Sequence, residues 1–379
     1  MFDYETMRLI WWVLIGVVAI AFALTEGFDF GVGTLLPFMG KTDIERRVII
    51  NTVGATWEGN QVWLVLLGGA IFAVWPAVYA TLFSGLYIAM LLVLFALFFR
   101  PAGFDYRSKI EDPRWRSAWD WALFTGSALP PVLFGVLAGN LILGLPYHLD
   151  QDLRSFYDGS FWGLLNPFAL LCGVAGLLIC CFQGGLFLQC RTKGVINWRA
   201  TVFLKTLGML LLALLAILSL WVFTSIPRPE LLQMAATDAP SNPMNKTVLA
   251  AGAGWLAHFL KYPWMIIAPV LGFAGLALAW LLSQGKHTLW ALASSSLGIT
   301  GILLTLGFGL FPFLLISTTD PRSSLTLWDA SASFKSLSLA FWITVVFLPI
   351  VLLYTRWVYK ILWGHVTEAG VLKDSHTLY

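Results

Sequence analysis

Two clusters of acids and amides interrupt apolar stretches of this sequence. Residues 25–31, TEGFDFG, set Glu26 and Asp29 between WWVLIGVVAIAFAL and VGTLLPF, and residues 56–61, TWEGNQ, set Thr56, Glu58, Asn60 and Gln61 at the head of another apolar run. Glu26 and Asp29 are three apart and share a face of a helix. A carboxylate at mid-bilayer depth costs about 2.5–3.5 kcal/mol on insertion scales, so an accidental pair in one apolar helix is disfavoured. Such acids have three uses. They hold helices together through hydrogen bonds to Asn60, Gln61 and freed backbone, for about 1 kcal/mol each; they pass protons along a water-filled crevice; or they bind the cation of a secondary transporter beside a glycine-rich helix. The residues by themselves leave all three open.

Metal and heme chemistry have thin support. The histidines are His148, His258, His287, His365 and His376; none falls in mid-span and none is paired across two spans as bis-histidine heme or copper sites require. Met90, Met209 and Met265 are isolated. Cys172, Cys180, Cys181 and Cys190 share one run without CxxC or CxxCH, which reads as small buried apolar residues. There is no GxSxG, P-loop or dinucleotide fingerprint. No catalytic residue and no metal ligand is therefore assigned to this chain.

The elements that must position the acids follow from composition. Of 379 residues, 59% are hydrophobic and 11% charged, more apolar side chain than the surface of a soluble domain accommodates. Runs of about 20 apolar residues recur with short polar breaks, the signature of membrane-spanning helices, and the 19 Trp suit lipid–water boundaries. The expected fold is an all-α, polytopic integral membrane bundle with about nine spans, near 9–37, 49–75, 77–99, 118–144, 166–190, 200–225, 262–283, 288–316 and 336–362, forming one domain over 1–379. The first run is too long for a signal peptide and lacks a cleavage signature, so it is expected to stay. The net charge of +3 gives no footing for nucleic acid.

The spans alternate the connections between two sides. One side carries Arg8, Arg154, Arg228, Lys246, Lys261, Arg322 and Lys335; the other carries Lys41, Arg46, Arg47, Arg100, Arg107, Lys109, Arg114, Arg116, Arg191, Lys193, Arg199, Lys286, Arg356, Lys360 and Lys373, with Lys205 just inside a span. Short cytoplasmic loops carry the basic excess, which predicts a periplasmic N-terminus and a cytoplasmic C-terminus. With that orientation Asp29 lies roughly 12 Å and Glu58 roughly 13 Å from the inner surface at helical rise, on adjacent antiparallel helices. Glu26, one turn further out, completes a ladder of carboxyls entered from the cytoplasm.

Smaller features complete the reading. Gly27xxxGly31 and Gly135xxxGly139 permit close helix approach, and Pro130 and Pro131 predict a kink. FFRPAGFDYR, residues 98–107, suggests Arg100 snorkelling to the cytoplasmic headgroups, with Asp105 and Arg107 beginning a basic surface loop held by local ion pairs. In SSLTLWDASAS, Asp329 or a nearby Ser is expected to cap the last span.

Taken together, FDYETMRLIWWVLIGV, GFDFGVG, ERRVIINTVGATWEGNQVWLVLLGGAIFAVWP, FSGLYIAM, FFRPAGFDYRSKI, SSLTLWDASAS and the C-terminal LYTRWVYKILWG and HTLY resemble subunit II of the bacterial cytochrome bd quinol oxidases over essentially the whole chain. The resemblance implies a multi-pass subunit of the bacterial inner membrane. Its partners would be a similarly arranged subunit I, one or two small single-span subunits, quinol and lipids. The implied complex oxidises quinol and reduces oxygen to water without pumping, drawing chemical protons from the cytoplasm. Two b-type hemes and one d-type heme would belong to subunit I; this chain would hold no heme and at most a structural quinone. By motif match, Asp29 in GFDFGVG and Glu58 in WEGNQVW stand where the family's acids are implicated in a proton route. The family pattern permits Asp or Glu at the latter and often has Asp where this chain has Glu26, which keeps the acid but changes its reach. The resemblance thus implies proton transfer through Glu58 and Asp29 with Glu26 as a lesser member. A proton- or cation-coupled transporter and a purely structural partner are the alternatives.

Overall fold

The structure, a computed structural model, describes residues 2–252 and 254–373. His376 and the HTLY end lie outside the described residues. Thirteen helices dominate them: α1 (Tyr4–Met39), α2 (Asp43–Val53), α3 (Trp57–Val74), α4 (Pro76–Gly85), α5 (Tyr87–Tyr106), α6 (Pro113–Leu143), α7 (Pro167–Arg191), α8 (Val195–Ser225), α9 (Gly254–Lys261), α10 (Ile267–Leu282), α11 (Thr288–Leu310), α12 (Phe334–Leu362) and α13 (Glu368–Lys373). Three two-stranded antiparallel hairpins, β1 (Tyr147–Leu149) with β2 (Ser155–Tyr157), β3 (Glu230–Met234) with β4 (Lys246–Leu249), and β5 (Phe313–Leu315) with β6 (Leu325–Thr326), fold the long connections into caps.

Among the described residues, eight helical stretches are long and apolar enough to cross a membrane: α1, α5, α6, α7, α8, α10 with the turn that leads into it, α11 and α12. The expected second span, 49–75, is not one helix. Its first part belongs to α2, which starts at a capping box of Thr42 and Glu45 and ends at Gly54, and its second part is α3, whose first turn carries Glu58, Asn60 and Gln61. Three polar side chains in that turn and the turn at 54–56 separate the apolar stretch from the amphipathic α2 that precedes it. The expected third span is likewise divided at Leu86 between α4 and α5. α6 runs across Pro130 and Pro131 as a single helix.

α1 is the hub. It begins at Asp3, whose side chain accepts from the Thr6 amide. At 36 residues its length is about 54 Å by helical rise, well beyond the hydrocarbon core. It packs against α3, α6 and α7. Gly31 of α1 meets Gly184 and the Cys180 carbonyl of α7 so closely that a Cβ on Gly31 would collide with backbone; Gly135 of α6 meets Cys172 and Gly173 of α7 in the same way. These small residues bring α7 against both neighbours, and the four cysteines are free thiols within that packing. The apolar core around the inner half of α1 comes from Phe28, Val32, Leu36, Ile49, Phe182, Leu186 and Leu204. α12 differs from the rest: of its 29 residues only Leu337 is fully buried.

Candidate functional site

The acids of α1 turn inward. Glu26 is fully buried and Asp29 is 1% exposed. Three residues apart, they sit one above the other on the face opposed to α3 and α5. Asn60 of α3 donates from Nδ2 to Asp29 Oδ2 at 2.7 Å, and Tyr359 of α12 donates from its hydroxyl to Asn60 Oδ1 at 2.8 Å. Arg100 of α5 donates from Nη1 to Glu26 Oε1 in a buried ion pair. Its guanidinium lies over the rings of Phe30, 4.8 Å from the centroid, and Trp57, at 5.8 Å. Arg100 is therefore not snorkelling: 1% exposed, it is the counter-charge that makes Glu26 tolerable at this depth. Asp29 Oδ1, Glu26 Oε2, Arg100 Nε and Nη2 and Trp57 Nε1 are buried without a hydrogen-bond partner among the described protein atoms.

Glu58 stands apart from this cluster. It is exposed, on the side of α3 that also exposes Val62 and Val65, whereas Trp57, Asn60 and Trp63 are buried on the other side. Two residues along a helix turn through about 200°, so Glu58 and Asn60 point to opposite sides. The matched depth of the two clusters holds, but the residue that meets Asp29 there is Asn60. Gln61 is half-buried and Asp105 is exposed.

The loop after α5 is more deeply tied in than a basic surface loop would be. Arg107, 1% exposed, donates to Asp120 of α6 at 2.6 Å, and Asp120 also receives Arg46 at 2.7 Å. Asp43 at the head of α2 receives Arg107 at 3.0 Å and Arg116 at 2.7 Å, and Arg199 reaches Glu45 at 2.6 Å. Asp120, Tyr359 and the buried Gln183, which joins α7 to Ser295 and Ser296 of α11, have no counterpart in the sequence reading. A helical projection carries the signal for Asn60, which lies three residues from Trp57 and from Trp63; nothing local marks Tyr359.

The opposite end is closed by other pairs. Lys246 of β4 donates to Asp329 at 2.9 Å, and Asp329 also accepts from the Thr326 hydroxyl. Asp329 is thus not the cap of α12; Ser333 fills that place, accepting from the Ser336 amide. Arg8 donates to the carbonyls of Thr237 and Ala239. Arg8 thus lies at the opposite end of α1 from Arg46 and Arg199, which donate to the Gly40 and Met39 carbonyls. His258 is buried with Nε2 on the Phe308 carbonyl at 3.0 Å, and burial, aided by the charge of Arg228, pushes it down to about 4. His148 pairs with Asp158 at 2.8 Å.

The family model described as cytochrome bd terminal oxidase subunit II matches residues 7–362. The chain belongs to this family. It is 45% identical over 379 residues to cytochrome bd-I ubiquinol oxidase subunit 2 of Escherichia coli K12, covering all of both chains. It is 42% identical over 381 residues to the probable cytochrome oxidase subunit 2 of Haemophilus influenzae, again over the whole of both. With the Bacillus subtilis cytochrome bd ubiquinol oxidase subunit 2 it shares 31% over 360 residues, 95% of this chain and 96% of that one. Among solved structures it is similar to a chain of the bd oxidase from Geobacillus thermodenitrificans, with a TM-score of 0.69, 14% identity and coverage of 95% of this chain and 99% of that one, a likeness of fold. This bd oxidase subunit II is a multi-pass protein of the bacterial cytoplasmic membrane and part of a terminal respiratory oxidase, a heme-containing oxidoreductase complex whose other main component is a subunit I.

Proposed function

We propose that this subunit II supports a heme-bearing subunit I and supplies a proton-entry path from the cytoplasm through Glu58 and Asp29, in a complex that oxidises quinol and reduces oxygen to water. The hemes, two b-type and one d-type, belong in subunit I, where they would supply the electron transfer and oxygen chemistry. One or two small single-span subunits and a structural quinone complete the assembly, and residues 1–379 act as one membrane domain. The observation that carries the path is Asp29: a fully buried carboxyl, bound at one oxygen by Asn60 and unpartnered at the other. Such a group, enclosed at membrane depth, is a place where a proton can be taken up and handed on. Glu58, exposed on an apolar side of α3, fits the entry point: a carboxyl there is costly against lipid and acceptable against a polar partner surface.

The orientation supports the direction of flow. The basic residues near the C-terminal end of α1, Arg46, Arg107, Arg116 and Arg199, favour a cytoplasmic location for that end by the positive-inside rule, with the N-terminus periplasmic. A structural role is favoured at Glu26 alone, because its ion pair with Arg100 accounts for its presence without any proton transfer. The transporter alternative has no observation of its own in its favour.

The test is turnover of the purified complex with its hemes counted. Glu58→Gln and Asp29→Asn each lower oxygen consumption, by about tenfold or more, the range of a lost acid–base step, at unchanged heme content. Unchanged turnover with full heme content contradicts the path, and loss of heme in step with turnover supports a structural role instead.

A further inference from the structure

We propose that Tyr359 is a positioning residue that acts through Asn60 to hold Oδ2 of Asp29, leaving Oδ1 as the oxygen that takes up and releases the proton; this rests on the proton-path reading above. Three side chains from three helices form the chain. The Tyr359 hydroxyl donates to Asn60 Oδ1 at 2.8 Å, and Asn60 Nδ2 donates to Asp29 Oδ2 at 2.7 Å. The two ends of an amide are not equivalent: the nitrogen only donates and the oxygen only accepts. A phenol donating to Oδ1 turns the donor end of Asn60 toward Asp29 and, by polarising the amide, strengthens that second hydrogen bond.

The two oxygens of Asp29 are thereby distinguished. Oδ2 is held by the amide, whereas Oδ1 is buried with no partner among the described protein atoms. When Asp29 accepts a proton, the new O–H bond forms at Oδ1; on release that bond breaks and the proton passes to the next carrier. No electrons move, and Tyr359 and Asn60 keep their own protons. Oδ2 remains an acceptor in both states, so the Asn60 contact survives the cycle and the amide does not need to turn over. A proton at Oδ2 instead would displace the Nδ2 donor and leave it buried and unpaired, which is unfavourable.

The place of Tyr359 in α12 fits this role. Most of that helix faces outward, with Trp342, Val346, Ile350, Leu353, Tyr354 and Trp357 all exposed. Tyr359 turns in, edge-on to Phe28 with ring centroids 6.5 Å apart. Phe28 in turn stacks on Phe187 of α7 at 4.1 Å, so the phenol is braced on one side by rings and bonded at its tip. Removing the hydroxyl alone would keep that bracing.

The experiment is redox-triggered infrared difference spectroscopy on the purified oxidase complex, with turnover and heme content measured on the same samples. The carboxyl band of Asp29 is the one that disappears in Asp29→Asn. Tyr359→Phe is expected to displace that band and to slow turnover about three- to tenfold, the loss of one orienting contact, at unchanged heme content. Asn60→Leu removes the donor itself and is expected to displace the band further; it decides the matter if the Tyr359→Phe complex assembles poorly. A band left in place by Tyr359→Phe in an assembled complex, or by Asn60→Leu, overturns the proposal while the path stands, provided Asp29→Asn slows turnover. If Asp29→Asn changes neither turnover nor spectrum, the path and the positioning role fall together.

Discussion

The ion pair of Glu26 with Arg100 and the hydrogen-bonded Asp29 show two ways in which an acid is accommodated at membrane depth. One is paired with a full counter-charge; the other is hydrogen-bonded by an amide that leaves half of the carboxyl unengaged. Their mutational behaviour should differ accordingly. Glu26→Gln strands the Arg100 guanidinium and is expected to cost about 3–5 kcal/mol, the usual penalty for halving a buried pair; Glu26→Leu with Arg100→Leu together should cost less than either single change. Thermal unfolding of the complex measures this, and additive losses would contradict the pairing. His258 gives a pH prediction. Its folded-state value, pushed from 6.5 to about 4 by burial and then by Arg228, means that the unfolded state binds the proton more readily. Stability is therefore present above about pH 6.5 and declines as pH falls toward 4, by up to about 3 kcal/mol. His258→Gln should flatten that slope, as read by the pH dependence of the melting temperature. At this scale the sequence revealed the acids and Asn60, because polar residues stand out in apolar runs. It did not reveal that Arg100 turns inward to Glu26, since an arginine near the end of an apolar run has the same local pattern whether it snorkels or pairs.

Among the elements, the contact of α1 with α7 seats the helix that carries Asp29. Gly31 and Gly184 set the approach, and any side chain at Gly31 meets the backbone of α7. Gly31→Leu should therefore separate the two helices and reduce assembled, heme-loaded complex. Gly16 on the same helix has open space around it, and Gly16→Ala should be neutral or stabilising by up to about 1 kcal/mol through helix propensity. Heme content of the membranes compares the two; equal loss would contradict a packing role specific to Gly31. Most helices were legible from apolar run length. The division at 54–56 was not, because the hydrophobicity of α3 and the amphipathic pattern of α2 merge in a window of span length, and the break lies between the C-cap of α2 at Gly54 and the N-cap of α3 at Thr56 without a change in hydropathy to mark it.

On the scale of the whole molecule, the apolar side of α3 that exposes Val62 and Val65 also carries Glu58, and a carboxyl is poorly placed against lipid. With Glu58 as the proposed entry point, this surface is expected to meet subunit I rather than lipid. A photo-crosslinking residue in place of Val65, which is 73% exposed, should capture subunit I; capture of lipid alone would contradict the assignment. The caps of β-hairpins at the end of Arg8 and the arginine–carboxylate network around the buried Arg107 and Asp120 at the other end give the chain two unlike ends, and the charge bias legible in the sequence fits a cytoplasmic location for the second. The most direct test of the account is proton uptake from the cytoplasmic side of vesicle-reconstituted oxidase, followed during a single turnover with a pH indicator on that side. The account predicts that Asp29→Asn, with all hemes in place, slows uptake by about tenfold or more, the range of a lost proton-transfer group. Uptake at the unaltered rate would contradict it.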